Sequence, residues 1–347
     1  MFSLNTRALQ RRLNERKRLA IIGGLLAMLF GIAMYFFIFL LTELNARMDF
    51  SGKELLGLEY IRPLFILKHD ILEYRHLINS EKDDPFETQL NSLQSQIDHD
   101  IQVVDKVDHD LESPFYNKPL WEEIKEDWQI LRIMPRNERS LRAIDSPSAL
   151  IADLNTLIGQ IGDRSNLILD SNLDGYYLSE TIVNRLPTMI EQLELVRSGA
   201  PGFTDLPKPL SQTQLPLANH AKSIKLTRRA IAHNLDIFFS NTSKKSLQPP
   251  LEARMKKTGE ALDRLQAILS SGAAGMVPTE RRETIAKGAT EAISATVQLF
   301  DAVVAAIDVT VRARIAMTHR QMLSVEAVSG AVTFCVIILL VAFLRID

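Results

Sequence analysis

Two cations stand where a packing seam calls for apolar side chains. Leu64, Lys68, Ile71, Arg75 and Ile78 succeed one another at intervals of 4, 3, 4 and 3, the spacing that holds one helix face against a neighbour. A cation in such a seam needs an anionic partner or ligand, because an unpaired buried charge is too costly to keep. Farther along, Leu178, Ile182, Arg185, Met189 and Val196 form a second stripe, with Arg185 in it and Tyr176 and Tyr177 beside it. If Lys68, Arg75 and Arg185 converge, they offer a small anion such as a carboxylate metabolite charge-assisted donors, with the tyrosines as walls and further donors. The alternative stays open: long cations also run along a seam edge with their heads in water, and Arg185 could pair with an acid of a neighbouring helix.

Other reactive groups read as structural. Asp170, Asn172, Asp174 and Gly175 begin like a calcium loop, but the later Glu ligand is missing from its place, and Asp, Asn and Gly all tolerate turn geometry. The sequence predicts a turn or kink at Asp170, Asp174 and Gly175, with Asp174 capping the segment that follows, and a kink at Pro187. His69 and His76 lie a heptad apart with no carboxylate pattern to make them metal ligands. The chain has no GxxxxGKS/T loop, no G-x-S-x-G elbow and no H-E-x-x-H pair, so no enzyme activity, metal or cofactor is expected.

The elements that must position these residues are helices, and no alternating strand stands out. Phe300, Val304, Ile307, Val311 and Ile315 step by 4, 3, 4 and 4, and Leu58, Phe65 and Leu72 recur one heptad apart. Breaks marked by Pro, Gly and Ser fall at 81–85, 113–119, Pro135, 146–147, 199–209, 249–250 and 270–278. They delimit helices at roughly 43–80, 86–112, 119–133, 147–198, 211–242, 250–270 and 279–322. Ser146 followed by Pro147 suits an N-cap and a first helical residue, and Thr279-Glu280 marks another start. The expected fold is all-α, an elongated helical bundle of two stacked modules.

Composition and charge set the frame. Of 347 residues, 46% are hydrophobic and 24% charged, and the net charge is −2, which excludes a disordered polyelectrolyte. Six cations against Glu15 give residues 1–18 a charge of +5, leaving −7 for the rest, which is no nucleic-acid surface. The one cysteine, Cys335, excludes a disulfide framework and reads as an apolar filler. Residues 19–41 carry no charge and are long enough to span a bilayer, as is the run from 327 to 344 with its preceding interface. The expected division is a basic cytoplasmic tail at 1–18, spans at 19–42 and 323–344, a domain at 43–322 and a cytoplasmic end at 345–347. The Arg-rich amino terminus places the central domain outside the cytoplasm, although Arg312, Arg314 and Arg320 before the second span pull the other way.

Two segments add a resemblance. The first begins Gly52-Lys53-Glu54-Leu55-Leu56-Gly57 and continues through Tyr60-Ile61-Arg62-Pro63 to Glu73-Tyr74-Arg75. The second runs from Ile161-Gly162-Asp163-Arg164 to Leu173-Asp174-Gly175-Tyr176-Tyr177-Leu178 and on to Asn184-Arg185-Leu186-Pro187. Together they resemble the extracytoplasmic sensor regions of bacterial transmembrane receptors: methyl-accepting chemotaxis proteins, hybrid sensor histidine kinases and membrane diguanylate cyclases. In that family Pro stands at the place of Ser171 and Asp at that of Asn172, ahead of the Leu-Asp-x-Tyr-Tyr-Leu core retained here at 173–178. The resemblance implies a two-pass protein of the bacterial inner membrane with a periplasmic sensor domain. It implies a homodimer, a small-molecule or binding-protein ligand, and a cytoplasmic or membrane signalling partner reached by helix displacement. Gly23, Gly24 and Ala27 would let the first span approach another helix closely. Such receptors continue into a signalling coiled coil, kinase or cyclase, whereas only 345–347 follow here, so a truncated receptor or a stand-alone sensor is expected. The alternative is a structural or accessory scaffold of the inner membrane without a small-molecule ligand.

Overall fold

The residues that recur every three or four positions are buried on one face of helices. A computed structural model of the chain describes residues 3–79, 86–111, 118–134, 145–170, 172–199, 210–270 and 278–344, and every regular element among them is helical. α1 is Ser3–Asn79, α2 Phe86–Leu111, α3 Lys118–Ile133 and α4 Asp145–Arg164. α5 (Leu173–Glu180) passes through a π turn at Thr181–Arg185 into α6 (Leu186–Gly199). α7 is Leu210–Asn241, α8 Gln248–Ser270 and α9 Pro278–Leu344. The breaks expected at 81–85, at 113–117, around Pro135, at 200–209 and at 271–277 lie outside the described residues, as do Ser171 and 345–347.

The chain divides into two units, residues 1–51 with 313–347 and residues 52–312. In the first, the ends of α1 and α9 carry apolar side chains on their outer surface, among them Ile21, Leu25, Phe36, Phe39, Phe334 and Ile338. Each of the two helices is long and apolar enough to cross a membrane. Phe30, Met34 and Phe37 of α1 and Val325, Val328 and Val332 of α9 line a common apolar cleft of about 340 Å³.

The second unit is a helical bundle in which α1 is a central element, with Ile61, Leu64, Leu67, Ile71 and Leu72 fully buried. Phe65 stacks on Phe300 of α9. Tyr60 donates to Asp108 of α2 at 2.6 Å, and Tyr74 packs edge-on against Trp128 of α3. The buried indoles of Trp121 and Trp128 donate across to Asp105 and Asp98 of α2 at 2.7 and 2.9 Å, so these large apolar residues pack without an unsatisfied N–H.

The helix expected at 147–198 ends at Arg164 and a new one begins at Leu173, with a turn at Asp170 as the sequence predicts. Asn166 adopts φ 64°, a left-handed conformation that Asn tolerates, and a short 3₁₀ turn follows at Leu167–Leu169. The Asp170 carboxylate then accepts the Asn172 N–H at 2.9 Å and its side-chain amide at 3.0 Å. Gly175 makes room for that carboxylate, since a Cβ there would come within 1.7 Å of Asp170 Oδ2. Asp174 accepts the Gly175 N–H at 2.9 Å, satisfying one amide of the first turn of α5.

Candidate functional site

The seam cations of α1 meet α4 and α6. Lys68 is 1% exposed, and its ammonium donates to Asn155 Oδ1 at 2.6 Å, to the Pro187 carbonyl at 3.2 Å and to Glu191 Oε2 at 3.3 Å. Asn155 also donates its Nδ2 to the same Glu191 oxygen at 3.2 Å, so the donors of Lys68 are matched by a built set of acceptors. Burial lowers the pKa of this lysine, and the Glu191 carboxylate opposes that shift.

Arg75, two turns on, is 7% exposed and reaches Ser148 Oγ of α4 at 3.4 Å with Nη1. Among the described residues its buried Nη2 has no hydrogen-bond partner. Burial lowers its pKa, while Glu191 and Glu194 raise it through space. A buried guanidinium nitrogen left without an acceptor is rare.

A second part of the cluster lies where α1 meets the end of α6. Arg197 donates Nε to Glu194 Oε2 at 2.9 Å and shares Nη2 between Glu194 and Glu73. Glu194 is fully buried, its Oε1 is unpaired, and burial, with the Glu73 charge adding to it against Arg197, pushes its carboxyl up to about 7. His76 lies 3.4 Å from Ser198 Oγ through Nδ1, and burial beside Arg197 pulls it down to about 4. His69 is lowered by burial as well, and its Nδ1 is buried without a partner. Glu73 and His76 thus meet the end of α6, and His69 and His76 are both half-buried along this side of α1.

The structure brings Lys68 and Arg75 together and gives Arg185 other company. Arg185 Nε pairs with Glu180 at 2.7 Å and its side chain is nearly half exposed. The π turn explains the departure from the expected stripe: the Leu186 N–H bonds the Thr181 carbonyl, five residues back, and this wider turn swings residue 185 off the buried face. The turn ends two residues before Pro187, whose ring would clash with a regular α-helical carbonyl four residues earlier. Glu180 is also bound by Asn234 Nδ2 of α7. Tyr176 and Tyr177 pack edge-on against each other, and Tyr177 packs against His233 of α7.

Asn155, Glu191, Glu194 and Arg197 were not singled out from the sequence. Glu194 and Arg197 carried one local signal, a charged pair at i, i+3 inside the apolar run Ile190, Leu193 and Val196. Among the described residues no group of three or more His, Cys, Asp or Glu could hold a metal ion.

These observations define an all-α protein in which two long apolar terminal helices flank a helical bundle, an architecture consistent with a sensor-like module. No protein-family model, curated protein or solved structure matches the chain.

Proposed function

We propose that this chain is the input part of a two-pass receptor of the bacterial inner membrane, of the chemotaxis-receptor, sensor-kinase or membrane-cyclase type. Its helical domain lies in the periplasm and detects a small anionic solute at the α1–α4–α6 contact, acting as a homodimer. The observation that carries the reading is Arg75, a buried cation with an unused donor, beside Lys68 on a helix that also supplies an apolar terminal stretch. The donor set suits a carboxylate: Arg75 Nη2 takes one oxygen, and Lys68 lends positive potential from its place against Glu191. Two packings of α1 against α6 that differ in their affinity for the anion would be enough to move the terminal helices, since a ligand shifts an equilibrium only by its differential affinity. The resemblance at 52–75 and 161–187 supports the receptor class.

Thermal unfolding of the full chain in detergent, with a panel of small mono- and dicarboxylates, tests this reading. A saturable rise in Tm for one carboxylate is expected, lost in Arg75→Ala and weakened in Arg75→Lys, and kept in the exposed control Arg62→Ala. No rise with any carboxylate, or a rise untouched by both Arg75 variants, would favour a membrane scaffold without a small-molecule ligand.

A further inference from the structure

α1 and α2 set two carboxyl groups against each other. Tyr60 of α1 meets Asp108 of α2, and Tyr74 packs on Trp128, which bonds Asp98 of α2. The two helices therefore run antiparallel, and Asp70 falls opposite Asp100, where the two carboxyl groups interact. Asp100 is 6% exposed, its Oδ1 accepts Gln96 Nε2 at 3.1 Å, and among the described residues its Oδ2 has no hydrogen-bond partner. Two ionised carboxylates offer each other only acceptors, so this half-buried pair holds together when one carries a proton and the other receives it. The neighbouring charges do not substitute for that proton. Glu73 of α1 adds a negative field at Asp70, whereas His99 of α2 favours the ionised form of Asp100, which leaves Asp70 as the carboxyl that holds the proton. The cations that α3 turns toward α2 are engaged elsewhere, Arg132 by Asp98 and Lys125 by Asp105.

We propose that Asp70 and Asp100 form a proton-binding site that latches α2 onto α1. One proton held between the two carboxyl groups closes the contact; its loss leaves two like charges face to face and loosens α2. Burial, with the Asp100 contact adding to it, raises Asp70 to about 7, which puts the latch in the neutral range. The sign follows from linkage. A carboxyl whose folded pKa lies above its unfolded value binds more proton in the folded state, so its contribution is complete below the unfolded value of 3.8 and is lost as pH rises through about 7.

The test follows thermal unfolding of the full chain in detergent from pH 5 to 8.5 for the native protein, Asp70→Asn and Asp100→Asn, with infrared spectra of protein labelled at the aspartate side-chain carboxyl carbon. The native unfolding constant should grow by up to about tenfold per pH unit below pH 7 through this pair, and either Asn variant should remove that component and equal or exceed the native Tm at pH 8. A protonated aspartate band should be present at pH 6, fade with a midpoint near 7, and be missing from both variants. The proposal is overturned if the native protein shows no such band at pH 6, or if both variants keep the native pH dependence. It is equally overturned if Na⁺, Mg²⁺ or Ca²⁺ stabilises the native protein at pH 8 and neither variant, because the occupant would then be a metal cation.

Discussion

His76 shows how a single side chain ties the charge cluster to pH. The imidazole is held neutral by burial and by Arg197, with a folded pKa of about 4 against an ordinary value of 6.5. A histidine lowered in this way binds fewer protons folded than unfolded between those values, so its contribution is present above 6.5 and is lost as pH falls toward 4. His76→Gln keeps a polar contact to Ser198 and abolishes the titration. Its stability, measured as chemical denaturation from pH 4 to 7, should lack a slope of up to about 1.4 kcal/mol per pH unit that the native protein shows. An unchanged difference between the two proteins across that range would mean that the imidazole is solvated in solution. The comparison is made between variant and native protein because Asp70 and Glu194, raised to about 7, tilt the curve the opposite way.

Helix packing at the break after α4 gives a prediction about elements. Gly57 of α1 faces Ser165, and a Cβ at Gly57 would lie 2.1 Å from Ser165 Oγ and 2.3 Å from its Cβ. Ser165 is fully buried, so neither group has anywhere to go. Gly57→Ala should cost about 1–3 kcal/mol in urea unfolding, and Ser165→Gly in the same chain should restore part of that, whereas Ser165→Ala should not. Equal rescue by both would place the strain elsewhere. This contact also marks what the sequence could convey. Leu58, Phe65 and Leu72, and Phe300, Val304, Ile307 and Val311, are buried as their periodicity requires, because a helix face can be read from neighbours in the chain. A turn at Asp170 and a distortion near Pro187 were legible from Asp, Gly and Pro, but not the left-handed Asn166 with its 3₁₀ turn nor the π geometry at 181–185, and with the latter went the placement of Arg185. Their exact form is met by partners distant in sequence, Gly57 against Ser165 and Asn234 on Glu180 and Thr181, which no local pattern encodes. Lys68 and Arg75 were legible as anomalies in a stripe. Their acceptors on α4 and α6 were not.

At the scale of the molecule, the proposed two-pass arrangement makes the flanks of the two apolar ends decide which compartment the bundle occupies. Residues 1–18 carry a charge of +5, and the first apolar stretch is followed closely by Arg47 alone, so a first span would leave the amino terminus in the cytoplasm. Arg312, Arg314 and Arg320 ahead of the second stretch would favour the reverse if the carboxy-terminal flank prevailed. The first span ordinarily sets orientation, because its flank is the one committed when insertion begins. Single cysteines in a Cys335→Ser background separate the two cases. With a membrane-impermeant maleimide added to spheroplasts, Lys256→Cys on the exposed surface of α8 should label from outside, and Ser3→Cys should label only after lysis. Native Cys335, in the apolar part of α9, should resist the reagent in both conditions and react once the membrane is dissolved in detergent. Labelling of Ser3→Cys from outside would invert the topology and move the bundle into the cytoplasm, and labelling of Cys335 in intact membranes would remove α9 from the bilayer.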